Sequence, residues 1–446
     1  MNYVPHTSED RSEMLKAIGV SSIDELFSDV PSEVKLDREL NLPAAMSEFE
    51  LIKHMSELAG KNTTTDSMVS FLGAGVYDHY VPSVVKHIIS RSEFYTSYTP
   101  YQAEVSQGML QSIFEYQTLM CELTAMDISN ASLYDGATGI AEAAMMASRL
   151  TRKHEVIISQ AVHPDYRRTL RTYAHNLELN VIEVPCKHGA TDIETLKDLV
   201  SEETACVILQ SPNFFGCIEN MALAAEVAHG KKALFVACVD PISLGILTPP
   251  GEYGADIAVG EGQGLGIPMG FGGPHLGFLT CRKEHMRQMP GRVSGETRDS
   301  QGRRGYLLTL QAREQHIRRD RATSNICSNQ ALCALAATVH LSWLGKEGIK
   351  EVAELCIQKA HYACEKLSLI PGFERKHQAP FFKEFAIKTP LKPEEICAGL
   401  LKENILGGLP LGRFYSNLSD SMLTTVTEKR TKEEIDRLCR ALEGLV

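Results

Sequence analysis

The sequence predicts an α/β fold: a mostly parallel sheet with helices on both faces, followed by a smaller C-terminal α/β domain. Three observations carry this. The middle of the chain alternates apolar runs of strand length with amphipathic stretches of helix length, and crossovers of that size join parallel strands. The run Ala255 to Val259 breaks into a loop with glycine at 260, 262, 264, 266, 270, 272 and 273, the kind of strand end at which open α/β sheets place ligands. With 446 residues, 43% apolar and 23% charged, the chain is too long for one small core and has the composition of an ordinary soluble enzyme.

Taken in order, residues 1–65 read as a helical arm. Thr7 or Ser8 caps a helix ending at Gly19, and Ser47 opens a second with Leu51, Ile52, Met55 and Leu58 on one face and Gly60 as its stop. Residues 66–330 form the large domain. Its entry segment RSEFYTSYTPYQ spaces Tyr95, Tyr98 and Tyr101 by three, but Pro100 forbids regular helix there, so the segment is expected to be extended. Its rings face either core or a subunit surface, or else the wall of a pocket. A long helix is expected from about 102 to 126.

Strands follow at VIIS (156–159), LNVIEVP, ACVILQS and ALFVACV, with helices at HPDYRRTLRTYAHNL and IETLKDLV between them. Residues 331–446 form the third region. A helix over SNQALCALAATVHLSWLG leads into a long helix at 349–368. The strand FFKEFAIK, a helix from Pro393, the strand SMLTTV and a last helix opened by the capping box Thr431 to Glu434 complete it.

Composition also excludes function classes. The start MNYVPHTSEDRSEM lacks a basic and then apolar leader, and the most apolar stretch, Ala233 to Leu247, is interrupted by Asp240 and Pro241. Neither a secretory signal nor a membrane span is expected, and the chain reads as cytoplasmic. The twelve cysteines form no C-x2-C pair and the fifteen histidines no H-E-x-x-H, so no metal is expected and the thiols read as reduced. A net charge of −11 argues against nucleic-acid binding. It is unevenly spread: residues 282–321 hold eleven Lys/Arg against five Asp/Glu, leaving −17 elsewhere. That basic segment is either a solvated face or a dock for an acidic partner.

Three places could carry chemistry. The turn Asp135-Gly136-Ala137-Thr138 precedes a helix, so its free amides, with the Thr138 hydroxyl, could hold an anion, and plain capping by Asp135 explains it equally well. Asp240, after ALFVACV, stands where doubly wound enzymes often aim a carboxylate at a cofactor, but Pro241 favours a strand-ending turn. The stretch 311–325 carries Arg313, His316, Arg318, Arg319 and Arg321 beside Thr323, Ser324 and Asn325, suited to carboxylates or phosphates, or to acidic residues across an interface. The glycine-rich loop fits neither common nucleotide fingerprint and contains no lysine.

Five stretches together, FLGAGVYDHYVPSVV, EFYTSYTPYQAEVSQGMLQSIFEYQT, NASLYDGATGIAEA, PPGEYGADIAVGEGQGLGIPMGFGGPHLGF and LTLQAREQHIRRDRATSNIC, resemble the glycine dehydrogenase (decarboxylating) family, the P-protein of the glycine cleavage system. Their form is similar to the alpha chain of its two-chain bacterial version. The resemblance implies a fold-type-I pyridoxal-phosphate (PLP) architecture. It also implies a reaction in which PLP serves as electron sink while glycine loses its carboxylate as CO2. The aminomethyl group then passes to the lipoyl group of H-protein.

In the family's catalytic chain a lysine in H-K-T-F, ahead of I-P-x-G-G-G-G-P, holds PLP. Aligning Ile267-Pro268 with that pair puts Gln263 at the lysine and Gly262 at the preceding histidine. A glutamine amide cannot form an imine, so PLP is expected on a partner beta chain within an α2β2 assembly. The segments Tyr98-Thr99-Pro100-Tyr101-Gln102 and Ala322 to Asn325 would then supply pocket walls and polar donors. Two rival readings stay open: an autonomous PLP enzyme using another lysine, and a non-catalytic scaffold that stabilises the beta chain.

Overall fold

The computed structural model describes residues 5–270 and 272–446. They fall into two compact units, one ending at Thr63 and one running from Thr64 to Val446. The first unit holds the helices Ser8–Ile18 and Glu48–Ala59, each opened by a capping box, Thr7 with Asp10 and Ser47 with Glu50. The caps fall where the sequence places them because hydroxyl and carboxylate together satisfy amides that the first helical turn leaves free. Neither helix buries a residue, and Phe49, Leu51, Ile52 and Met55 stand exposed.

The second unit is built on a seven-stranded sheet. In chain order its strands are β1 (Ile128–Ser129), β2 (Glu155–Ser159), β3 (Asn180–Val184), β4 (Thr204–Ser211), β5 (Leu234–Val239), β6 (Ile257–Glu261) and β7 (Gly277–Cys281). Across the sheet they run β1-β7-β6-β5-β4-β2-β3, and β7 is antiparallel to both neighbours while the remaining pairs are parallel. The alternation of strand side chains sorts two cores. Val156, Ile158, Ile208, Val236 and Val259 meet Ile140, Ala143, Ala144 and Ala147 of the helix Gly136–Thr151. On the other face Ile157, Val207, Phe235 and Ala258 meet Tyr116 and Met120 of the helix Gln107–Thr124 and Ala334, Ala337 and Leu341 near the chain's longest helix start.

That helix, Ala331–Ser368, is two helices joined at Gly345, where φ 60 and ψ −174 interrupt the spiral. Its first part packs in the core of the large sheet. Its second part, with Ala360, Ala363 and Leu367, covers a four-stranded antiparallel sheet containing Glu384–Lys388 and Ser421–Thr425. The helices Pro393–Lys402 and Lys432–Glu443 complete that cover through Ile396, Leu400, Ile435 and Leu438. On the other side of the small sheet, Ala386 and Leu423 pack against Ala161, Phe214 and Phe215 from the loops that follow β2 and β4, and a cleft lies between the two sheets.

Two segments depart from expectation. The long helix begins at Gln107, after a short turn of helix at Ser92–Tyr95 and one 3-10 turn at Ala103–Val105, so the tyrosine-rich entry is only partly extended. The basic segment contains a hairpin, Val293–Arg298 paired with Arg304–Thr309, that the charge pattern conceals.

Candidate functional site

The C-terminal ends of β4, β5 and β6, the start of the helix Gly136–Thr151 and the start of the small-sheet strand at Glu384 converge on the cleft. It is lined by Tyr77, Tyr166, Gln210, Asp240, Glu261, Lys383 and Glu384 among others, and encloses only about 30 Å³. That is room for one or two water molecules, whereas ligand pockets run to about 300 Å³ and more.

The helix start behaves as an anion cup and already holds an anion. Asp135 caps it, accepting from the Thr138 amide at 2.6 Å. The Gly136 amide donates to the Glu261 carboxylate at 3.1 Å, and the same carboxylate accepts from the Gln263 and Leu276 amides at 3.0 and 2.9 Å. One helix N-terminal amide, Gly136, and two loop amides, Gln263 and Leu276, converge as an anion would require, and here they meet the chain's own Glu261. Gly136 permits the approach: a Cβ there would stand 2.8 Å from the Tyr166 hydroxyl and 3.1 Å from the Glu261 amide. The Tyr166 ring stacks on His163 with centroids 4.7 Å apart, so the cleft also contains an aromatic ring of its own. Burial holds the Tyr166 hydroxyl well above its usual range and pushes His163 down, so both are neutral.

Asp240 makes the turn favoured from sequence, accepting from the Ile242 amide at 3.0 Å. It does more than that: its other oxygen lies 2.6 Å from Nζ of Lys383, a lysine only 2% exposed. The ammonium also sits 2.9 Å from His79 Nε2 and 3.5 Å from the Tyr77 ring centroid, a cation–π contact. Because Lys383 donates to Nε2, His79 donates from Nδ1 to Glu428 at 2.7 Å. A buried line of alternating groups, Asp240, Lys383, His79 and Glu428, therefore ties the large sheet to the small one. The ligand atoms of His79, Cys356 and Glu428 lie within 4.8 Å of one another. Burial keeps the Cys356 thiol protonated, and the Lys383 ammonium stands on His79's other nitrogen, so the cluster disfavours a further cation.

Gln263 is 2% exposed and its side-chain amide is fully paired. Its oxygen accepts from the Tyr77 amide at 2.9 Å, while its nitrogen donates to the carbonyls of Tyr77 and Ile267 at 3.1 and 2.7 Å. Glutamine thus pins the glycine-rich loop to the segment 74–80. That segment is further fixed by Tyr77 and Ala74 on Glu384 at 2.7 Å each, and by Asp78 on Lys429 and Arg430 at 2.7 and 2.9 Å.

PLP binding rests on three anchors: an imine-forming lysine, a carboxylate on the pyridine nitrogen and a helix terminus on the phosphate. Here the first is an amide, the second is paired with Lys383 and the third with Glu261. The residues present do not fit the group.

Of the residues singled out from sequence, Asp135, Gly136, Thr138, Asp240 and Gln263 gather at this cleft. The others form a separate patch. Tyr95, Tyr98 and Tyr101 are 69%, 72% and 78% exposed, and Gln102 is exposed beside them. Thr99 is buried and accepts from Arg292 at 2.9 Å; Arg292 lies 3.9 Å from Glu314, which lies 3.7 Å from His316. The tyrosine-rich and arginine-rich segments are therefore neighbours. Arg313 spends its donors on carbonyls of Leu310, Met289 and Gly291, which anchors the segment. Thr323 and Ser324 are half-buried and Asn325 exposed, along a groove with Arg149, His154 and Tyr173.

Sequence reasoning passed over Glu261, Lys383, His79 and Tyr77. The available signals were a carboxylate inside a glycine-rich loop and a Lys-Glu pair embedded in the aromatic strand FFKEF.

A family model described as "Glycine cleavage system P-protein" matches residues 1–442. The chain is 57% identical over 445 residues to a probable glycine dehydrogenase (decarboxylating) subunit 1 of Desulforamulus reducens, with 100% of both chains covered. It superposes on the crystal structure of a glycine decarboxylase (P-protein) of the glycine cleavage system in inhibitor-bound form with a TM-score of 0.93, at 44% identity and with 100% of both chains covered. A sphingosine-1-phosphate lyase from Burkholderia pseudomallei shares the fold at a TM-score of 0.66 and 15% identity, covering 93% of this chain and 94% of its own. The fold is the fold-type-I architecture of PLP-dependent enzymes.

Proposed function

The chain belongs to the glycine cleavage system P-protein family, and from that premise we propose how it divides the work of glycine decarboxylation with a second chain. It is the alpha-type subunit of a glycine decarboxylase. The beta chain carries the PLP, and this chain completes the active site from across the interface in an α2β2 assembly. The lipoyl group of H-protein receives the aminomethyl group left when glycine loses CO2, and the assembly works in the cytoplasm.

The observation that carries this reading is the state of residue 263. An amide stands where the resemblance requires an amine, and its hydrogen bonds to backbone use both of its N–H donors and engage its oxygen. The exposed patch of Tyr95, Tyr98, Tyr101 and Gln102, joined through Arg292 to the segment of Arg313 and His316, supports a contribution to a neighbouring chain. In the same reading Thr99 orients that patch through Arg292, and Thr323, Ser324 and Asn325 supply polar donors to the beta chain's site.

Co-expression with the beta chain tests it. Glycine–bicarbonate exchange in the presence of H-protein is expected from the two chains together and from neither this chain alone nor PLP added to it. A purified alpha chain that turns yellow with PLP and releases CO2 from glycine unaided would refute the division.

A further inference from the structure

We propose that the cleft between the two sheets is a cofactor site closed by three side chains of its own, and that Gln263 is not what closes it. Glu261 occupies the anion cup, bound by the amides of Gly136, Gln263 and Leu276. Lys383 occupies the carboxylate, 2.6 Å from Asp240. The ring of Tyr166, stacked on His163 at 4.7 Å, stands in the same cleft as both. Carboxylate, ammonium and aromatic ring have the chemical features of PLP's phosphate, pyridinium and ring, and each is supplied here by protein. Only about 30 Å³ remains.

Removing one group leaves the others in place. A phosphate entering the cup meets the Glu261 charge, and a pyridine nitrogen approaching Asp240 meets the Lys383 ammonium. The inference also explains how the lobes stay joined without a coenzyme. Lys383 belongs to the small-sheet side and Asp240 to the end of β5, so their ion pair crosses the cleft, and His79 and Glu428 extend it. It concerns binding by this chain alone and does not depend on where the beta chain holds its PLP.

The test uses the full-length chain, PLP as probe, and borohydride reduction followed by peptide mapping. Gln263→Lys alone is expected to give no aldimine absorbance and no adduct at position 263. Gln263→Lys combined with Glu261→Ala, Lys383→Ala and Tyr166→Ala is expected to give both. An adduct at position 263 in the single variant overturns the proposal, as does none in a quadruple variant that unfolds cooperatively.

Should the quadruple variant not fold, the Glu261→Ala chain decides, since it keeps the Asp240–Lys383 pair. Millimolar inorganic phosphate is expected to raise its unfolding midpoint by several degrees and leave wild type unmoved. An equal response of the two overturns the claim that Glu261 fills the cup.

Discussion

Glu142 shows most sharply how one buried group sets a property of this chain. It lies on the helix Gly136–Thr151, fully buried, and neither carboxylate oxygen has a hydrogen-bond partner. Burial raises its pKa from 4.5 to about 7, with the Ser324 hydroxyl and the Arg149 charge pulling weakly the other way. In the unfolded chain the same carboxyl ionises near 4.5, so folding takes up a proton between those values. Stability from this group is therefore complete below about 4.5 and falls as pH rises through about 7. Glu142→Gln, which cannot ionise, is expected to match wild type at pH 4.5 and to exceed it at pH 8 by up to about 3 kcal/mol. Thermal melts of both proteins at the two pH values measure this, and a variant no more stable than wild type at pH 8 contradicts it.

At the scale of elements, what the sequence reveals is what local chemistry decides. The capping boxes at Thr7, Ser47 and Thr431 stand where hydroxyl and carboxylate spacing puts them. The apolar runs at 156–159, 205–211 and 233–239 became central strands because their side chains face helices on both sides. The hairpin Val293–Arg298 with Arg304–Thr309 escaped notice because half of the first strand is exposed and polar and the second opens on Arg304 and Gly305 and exposes Leu307, so no apolar alternation marks it. The cleft was legible only in part. Gln263 and the Asp135 turn announce themselves by motif, but the partners of Asp240 and of the Gly136 amide are Lys383, which is 143 positions away from the first, and Glu261, 125 from the second. Contacts of that kind depend on how two sheets pack, which no local pattern encodes.

The arm carries a further expectation at this scale. Its apolar face at Leu51, Ile52, Met55 and Leu58 is exposed, the kind of surface that marks a contact with a partner. Amide hydrogen exchange in Glu48–Ala59 is expected to be fast in the isolated chain and at least about tenfold slower in complex with the beta chain. Equal rates in the two states would show that the beta chain does not cover it.

For the molecule as a whole, charge is segregated by sequence position: residues 282–321 carry +6 and the remainder −17. At physiological ionic strength fields decay over about 8 Å, so a strongly acidic chain still presents a local basic surface to a partner that comes close. Arg319 and Arg321 belong to it and are exposed, with the patch of Tyr98, Tyr101 and His316 in the same part of the chain's chemistry. If an acidic lipoyl carrier docks on this surface, attraction acts on encounter more than on the bound geometry, and salt weakens it. Arg319→Glu with Arg321→Glu, in the assembled enzyme, is expected to raise the KM for H-protein roughly tenfold at low salt. The difference should shrink as salt rises toward 0.5 M, while the KM for glycine stays where it was. A loss of turnover with the H-protein KM unchanged would place these arginines in the subunit interface instead, since a docking surface alters encounter with the carrier and leaves the handling of glycine alone.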